Sequence, residues 1–142
     1  PLLATRRAAE AAECGTTQNL PIEGPYFLGE PRPTDRTGTG LVLRGWVRDA
    51  VSCEPVAGAT LVRWHANRNG IYEDYFRARS ATDAEGRYRF ETIVPGKYAG
   101  LARHIHFALS APGYQGLITQ WQIDDDEEPA AEVAFDFVLS PL

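Results

Sequence analysis

From Gly40 onward, apolar and polar side chains alternate in short runs broken by turn residues. Leu41-Val42-Leu43-Arg44-Gly45-Trp46-Val47-Arg48-Asp49 keeps a partial period of two, and Arg87-Tyr88-Arg89-Phe90-Glu91-Thr92 alternates cleanly. A period of two sends successive side chains to opposite faces, so each run predicts a half-buried strand. Further strands are predicted over residues 59–64, 104–110, 117–123 and 132–139. Pro55-Val56-Ala57-Gly58, Asp83-Ala84-Glu85-Gly86 and Val94-Pro95-Gly96 supply turns between them. No run sustains the 3.6-residue period of a long helix. The expectation is an all-β protein, an antiparallel β-sandwich of short strands with a long N-terminal loop and little helix.

Upstream the pattern is different. Residues 1–13 are rich in Ala and Arg and suit a short helix or an unfixed arm, and residues 15–40 are punctuated by proline and glycine. The chain is therefore divided into an N-terminal arm over residues 1–20 and a single sandwich core over 21–142, a length that supports one domain with a real core. A net charge of −5 without a basic stripe argues against nucleic acid as partner. No apolar run reaches membrane-spanning length. Asp124-Asp125-Asp126-Glu127-Glu128 lacks the spacing and glycine of an EF-hand loop and reads as a solvated turn. The chain begins at Pro1 and contains no methionine, which implies a processed or trimmed N-terminus. Cys14 and Cys53 are compatible with one disulfide in an oxidising compartment and equally with two buried thiols.

The candidate chemistry lies in two segments. Trp64-His65-Ala66-Asn67-Arg68-Asn69-Gly70-Ile71-Tyr72 ends on a tyrosine, and Pro95-Gly96-Lys97-Tyr98 is followed six residues later by His104-Ile105-His106. Histidines at i and i+2 of a strand share a face, so both imidazoles can reach one point. With Tyr72 and Tyr98 they form an N2O2 donor set that suits a hard, oxidised transition metal, Fe(III) above all. His65 has the opposite parity to Trp64 and reads as structural.

These segments resemble the intradiol ring-cleavage dioxygenases. The resemblance spans roughly residues 21–123 and rests on Glu-Gly-Pro-Tyr-Phe at 23–27, Trp-His-Ala-Asn-x-x-Gly-x-Tyr at 64–72 and Thr-Asp-Ala-Glu-Gly-Arg-Tyr-Arg-Phe at 82–90. Val-Pro-Gly-x-Tyr at 94–98, His-Ile-His-Phe at 104–107, Ala-Pro-Gly-Tyr at 111–114 and Leu-Ile-Thr-Gln at 117–120 complete it. It implies a β-sandwich carrying a non-haem Fe(III) ligated by Tyr72, Tyr98, His104 and His106, with Tyr98 leaving when substrate arrives. It further implies a catechol-type substrate cleaved with O2 between its hydroxyl-bearing carbons to a cis,cis-muconate-type diacid. Gln120 falls beside the substrate, and Pro25 and Tyr26 fall on the loop lining the cavity. The alternative is a non-catalytic transthyretin- or carboxypeptidase-regulatory-like sandwich module, which shares the turns but needs neither His-x-His nor Gly-x-Tyr.

The sequence departs from that family at the position of an arginine. The family carries a guanidinium three residues before the first histidine, where this chain has Leu101; its arginine is Arg103, which becomes the catalytic candidate. On a regular strand Arg103 faces away from the ligands, unless a bulge re-aims it or Arg68 or Arg79 serves instead. The chain also lacks the long helical region that supports dimers in catechol 1,2-dioxygenases, and a homodimer is left open. It is closer to compact secreted members with paired cysteines. That implies a Cys14–Cys53 bridge and a secreted or periplasmic setting, with the cytoplasm as the alternative.

Overall fold

The computed structural model describes residues 14–20, 29–124 and 128–142. The expected turn at 124–128 and the arm at 1–13 therefore fall largely outside the described residues. Among the described residues there is no helix, and ten strands form two sheets. The strands are β1 (Arg32–Pro33), β2 (Arg36–Thr37), β3 (Leu41–Asp49), β4 (Thr60–Ala66), β5 (Tyr72–Ala81), β6 (Arg87–Thr92), β7 (Arg103–Ser110), β8 (Leu117–Ile123), β9 (Glu132–Ala134) and β10 (Phe137–Leu139). The first sheet has the order β1-β5-β4-β7-β8; the second has β10-β3-β6-β2, with β9 also on β3.

The expected sandwich is present, and its long strands pair antiparallel. The short strands differ: β1, β2, β9 and β10 join their neighbours in parallel. The longest strand, β5, was absent from the sequence reading, because Tyr72 to Ala81 mixes exposed and buried positions without alternation. Residues 132–139 form two strands rather than one, because the chain bulges at Phe135 and Asp136 over Gly45. A Cβ on Gly45 would strike the Phe135 carbonyl, so the residue without a side chain is the one that permits the crossing.

Between the sheets, alternation does its ordinary work. Leu41, Leu43, Val47, Tyr88 and Phe90 of one sheet meet Leu61, Ile105, Phe107 and Leu109 of the other, with Phe137 and Leu139 closing the core. A buried cation breaks the apolar rule. Arg63 has no exposed surface; its guanidinium lies 4.2 Å above the Phe90 ring and donates to Ser80 Oγ and the Thr34 carbonyl, both at 3.0 Å. Burial pushes it down to about 10, so it remains a cation at neutral pH. A disulfide joins Cys14 to Cys53, tying the segment before β1 to the turn after β3.

Candidate metal centre

The site lies on the face of the first sheet turned away from the core. On β7, Ile105 and Phe107 go inward, so His104 and His106 go outward. Trp64 of β4 is registered opposite His106, and Gln120 of β8 is registered opposite it from the other side. Strand β5 is brought to the same face by an irregularity. Its ladder with β4 runs regularly to Trp64↔Arg77 and then jumps to Ala66↔Tyr72. A regular ladder would set Tyr75 opposite Ala66 and turn Tyr72 to the other face. The bulge reverses that parity.

The two tyrosines are held by a single loop contact. Asn67 is its hub: its side-chain oxygen accepts from the amides of Asn69 and Ile71, and its carbonyl accepts from Gly70 and Gly96. Gly96 packs on the backbone of Asn67 and Arg68, and Gly70 packs on Lys97 and Tyr98. These contacts explain the Asn-x-x-Gly-x-Tyr and Pro-Gly-x-Tyr spacings. Beyond Tyr98, Ala99 (φ 53°) and Gly100 (φ 70°) are both left-handed, and Leu101 N–H donates to Tyr98 O at 3.0 Å. That is the φ pattern of a type I′ turn, and it returns the chain directly into β7.

Four donor atoms meet as a result. Tyr72 Oη lies 2.6 Å from Tyr98 Oη, 2.9 Å from His106 Nε2 and 3.5 Å from His104 Nε2. Tyr98 Oη is 3.2 Å from His104 Nε2, and the two Nε2 atoms are 3.0 Å apart. Donors held at about 2.0–2.1 Å from one ion, at angles between square and tetrahedral, lie about 2.8–3.4 Å from one another. The separations of 2.9, 3.0 and 3.2 Å fall in that range and those of 2.6 and 3.5 Å lie just outside it, so the four donors are grouped closely enough to share one ion. His104 Nδ1 donates to the Ala102 carbonyl at 2.7 Å, which leaves its Nε2 lone pair for the centre. Burial, and then His104 and His65, push the His106 imidazole down to about 4, so this ring is neutral and lone-pair bearing at neutral pH. Among the described residues no three His, Cys, Asp or Glu side chains cluster, so the phenols are essential to the donor set.

The other expected site residues divide. Gln120 is on the site's face, and its side-chain oxygen accepts from Gln122 at 3.3 Å, which leaves its amide N–H groups to donate elsewhere. Arg103 opens β7 with the opposite parity; the β7–β8 ladder is unbroken from Arg103↔Ile123 to Leu109↔Leu117, so no bulge re-aims it. Leu101 is half exposed at 51%. Arg79 is exposed and reaches the Pro31 carbonyl at 3.5 Å, and Arg68 is an exposed loop residue. Pro25 and Tyr26 lie outside the described residues. His65 is on the core side: Nδ1 donates to the Ala66 carbonyl at 2.8 Å and Nε2 sits 2.9 Å from Thr92 Oγ1. Sequence reading missed Arg77, which is buried, registered opposite Trp64 and 2.8 Å from Asp74. Its signal was hidden in the irregular β5 pattern.

The fold and site define a two-sheet β-sandwich that brings two phenols and two imidazoles to one point, and similarity narrows the class. A profile of the family described as Dioxygenase matches residues 27–103, more than half of the chain. Catechol 1,2-dioxygenase 2 of Acinetobacter lwoffii is 34% identical over 84% of this chain and 55% of its own length. The solved dioxygenase domain of a dioxygenase–carbohydrate-binding fusion from Streptomyces sp. SirexAA-E superposes with a TM-score of 0.80 at 30% identity, over 90% of this chain and all of that one. The intradiol ring-cleavage dioxygenase of Tetranychus urticae gives 0.72 at 26% identity, over 79% of this chain and 66% of that one. The chain belongs to the intradiol ring-cleavage dioxygenase family. It spans about half the length of the curated relatives it matches.

Proposed function

We propose that this chain is an Fe(III)-dependent intradiol dioxygenase that cleaves catechol-type diols with O2 to cis,cis-muconate-type diacids. The observation that carries the reading is the meeting of Tyr72, Tyr98, His104 and His106 at mutual distances of 2.6–3.5 Å. An unperturbed phenol titrates near pH ~10, so phenolate donors at neutral pH call for a strong local cation, and Fe(III) is the hard ion that suits them. When bound, the ferric ion would supply the Lewis acidity that lowers the pKa values of the diol, whose deprotonation makes its ring electron-rich.

The protein's own groups then have distinct tasks. His104 and His106 sit on a paired strand and stay in place. Tyr98 sits on the tight turn before β7, half-buried, and would be the donor to give way to substrate, its phenolate oxygen accepting one proton from the diol. Tyr72 is anchored on β5 and would hold the ion throughout. Gln120 donates from its amide nitrogen to a substrate oxygen. The Cys14–Cys53 bridge supports a secreted or periplasmic setting. Among the described residues no helix is long and apolar enough to cross a membrane.

The test is oxygen uptake across a panel of catechols with product analysis. The reading expects one O2 consumed per diol and a ring-opened diacid, with no external reductant. A protein that is loaded with iron and leaves every catechol intact would instead be an iron-binding relative without turnover.

A further inference from the structure

Resting on the iron-site reading above, the two imidazoles differ in what holds them. His104 has its plane and tautomer set by the Nδ1–H bond to Ala102 O. His106 has no such anchor: its Nδ1 is buried and without a hydrogen-bond partner among the described residues. A ligating histidine ordinarily takes its orientation from a hydrogen bond on the nitrogen that does not bind. The terminal torsion of histidine is broad, so a ring without such a bond can swing its plane and carry Nε2 off the centre.

What replaces the hydrogen bond is an aromatic face. The His106 ring lies 5° from parallel to the Trp64 indole, with centroids 5.1 Å apart. The contact is built into the sheet, because Trp64 and His106 are directly opposed on β4 and β7. Trp64 is 1% exposed, so its indole has no room to turn away. Neither Tyr72 (48° to His106) nor His104 (81°) offers a parallel surface. We propose that Trp64 is the positioning residue of His106: the indole face fixes the imidazole plane, and thereby aims Nε2 at the point shared by the other three donors. The two histidines are held by different physics, one by a hydrogen bond and one by stacking.

Trp64→Phe keeps an aromatic face at this position and Trp64→Met fills much of the volume without one. For each, the iron dissociation constant is measured by chelator competition, together with the visible band and the melting temperature of the metal-free protein. Both variants should melt lower. Trp64→Phe should bind iron within about 3-fold of wild type, whereas Trp64→Met should weaken it by roughly 10–100-fold and shift the band. A purely packing role would lower both melting temperatures and leave the two affinities equal; equal affinities overturn the proposal. If Trp64→Met does not fold, proton NMR of the metal-free wild type decides. Ring current should move the His106 Hε1 resonance upfield of that of His104, and the absence of that displacement overturns the proposal. A wild type that takes up no iron would end the iron reading, while the NMR measurement would still report on the stack.

Discussion

Gly70 rests on Lys97 so closely that a Cβ built on it would come within 2.6 Å of the Lys97 carbonyl oxygen and 3.1 Å of Tyr98 Cβ. The residue two before one phenol thus touches the loop of the other, and its φ of +80° is left-handed as well. Gly70→Ala should therefore separate the two tyrosine loops. We expect a loss of about 1–3 kcal/mol in denaturant unfolding and a marked fall in bound iron. Gly58→Ala is the control: its φ is +69° but nothing lies within 4 Å, so it should cost stability and leave iron binding alone.

His65 makes stability depend on pH. Burial, its largest cause, holds it at about 4, below the ordinary value of 6.5. The unfolded chain takes up a proton at a higher pH than the folded one, so the neutral buried ring stabilises the fold fully above pH ~6.5. That contribution is lost as pH falls from about 6.5 through 4, and amounts to roughly 3 kcal/mol. Urea unfolding of the metal-free protein at stepped pH should show wild type losing more stability across this window than His65→Asn. Parallel curves would contradict the assignment.

The Cys14–Cys53 bridge closes a loop of sequence separation 39. Loop-closure entropy puts its contribution at about 3–4 kcal/mol. Cys53→Ser should lower the melting temperature by roughly 10 °C and be matched by wild type under reducing agent. Iron binding at saturation should persist, because neither cysteine lies among the four donors.

Gln120 is paired in register with His106 on the face that carries the four donors. Gln120→Ala should keep the visible band and the iron content and lower kcat/KM by about 10–100-fold, the scale of a lost positioned hydrogen bond to a charged or developing centre. Stopped-flow binding and steady-state turnover on one catechol check it.

Much of this was legible from two periodicities. The period-two runs of β3 and β6 marked half-buried strands, and the shared face of the i, i+2 histidines followed from the same rule. What stayed hidden depended on where regularity fails. Strand β5 carries a bulge between the partners of Trp64 and Ala66, so its sequence does not alternate, and its buried Arg77 looks like a surface residue. The parallel pairing of β9 and β10 on β3 depends on the Phe135 crossing over Gly45, a tertiary contact that no local pattern encodes. Trp64 was visible only as a motif letter, because its partner is 42 positions away in β7 and found only through register.

The central claim is that Tyr72, Tyr98, His104 and His106 hold one ferric ion, and the visible spectrum of the iron-loaded protein, read with its metal content, tests it most directly. The account predicts a red-brown protein with one iron per chain and a broad phenolate-to-iron charge-transfer band, bleached or shifted in Tyr98→Phe and in His106→Ala and unchanged in His65→Ala. A colourless wild type, or ligand variants that keep wild-type iron content and spectrum, would contradict it.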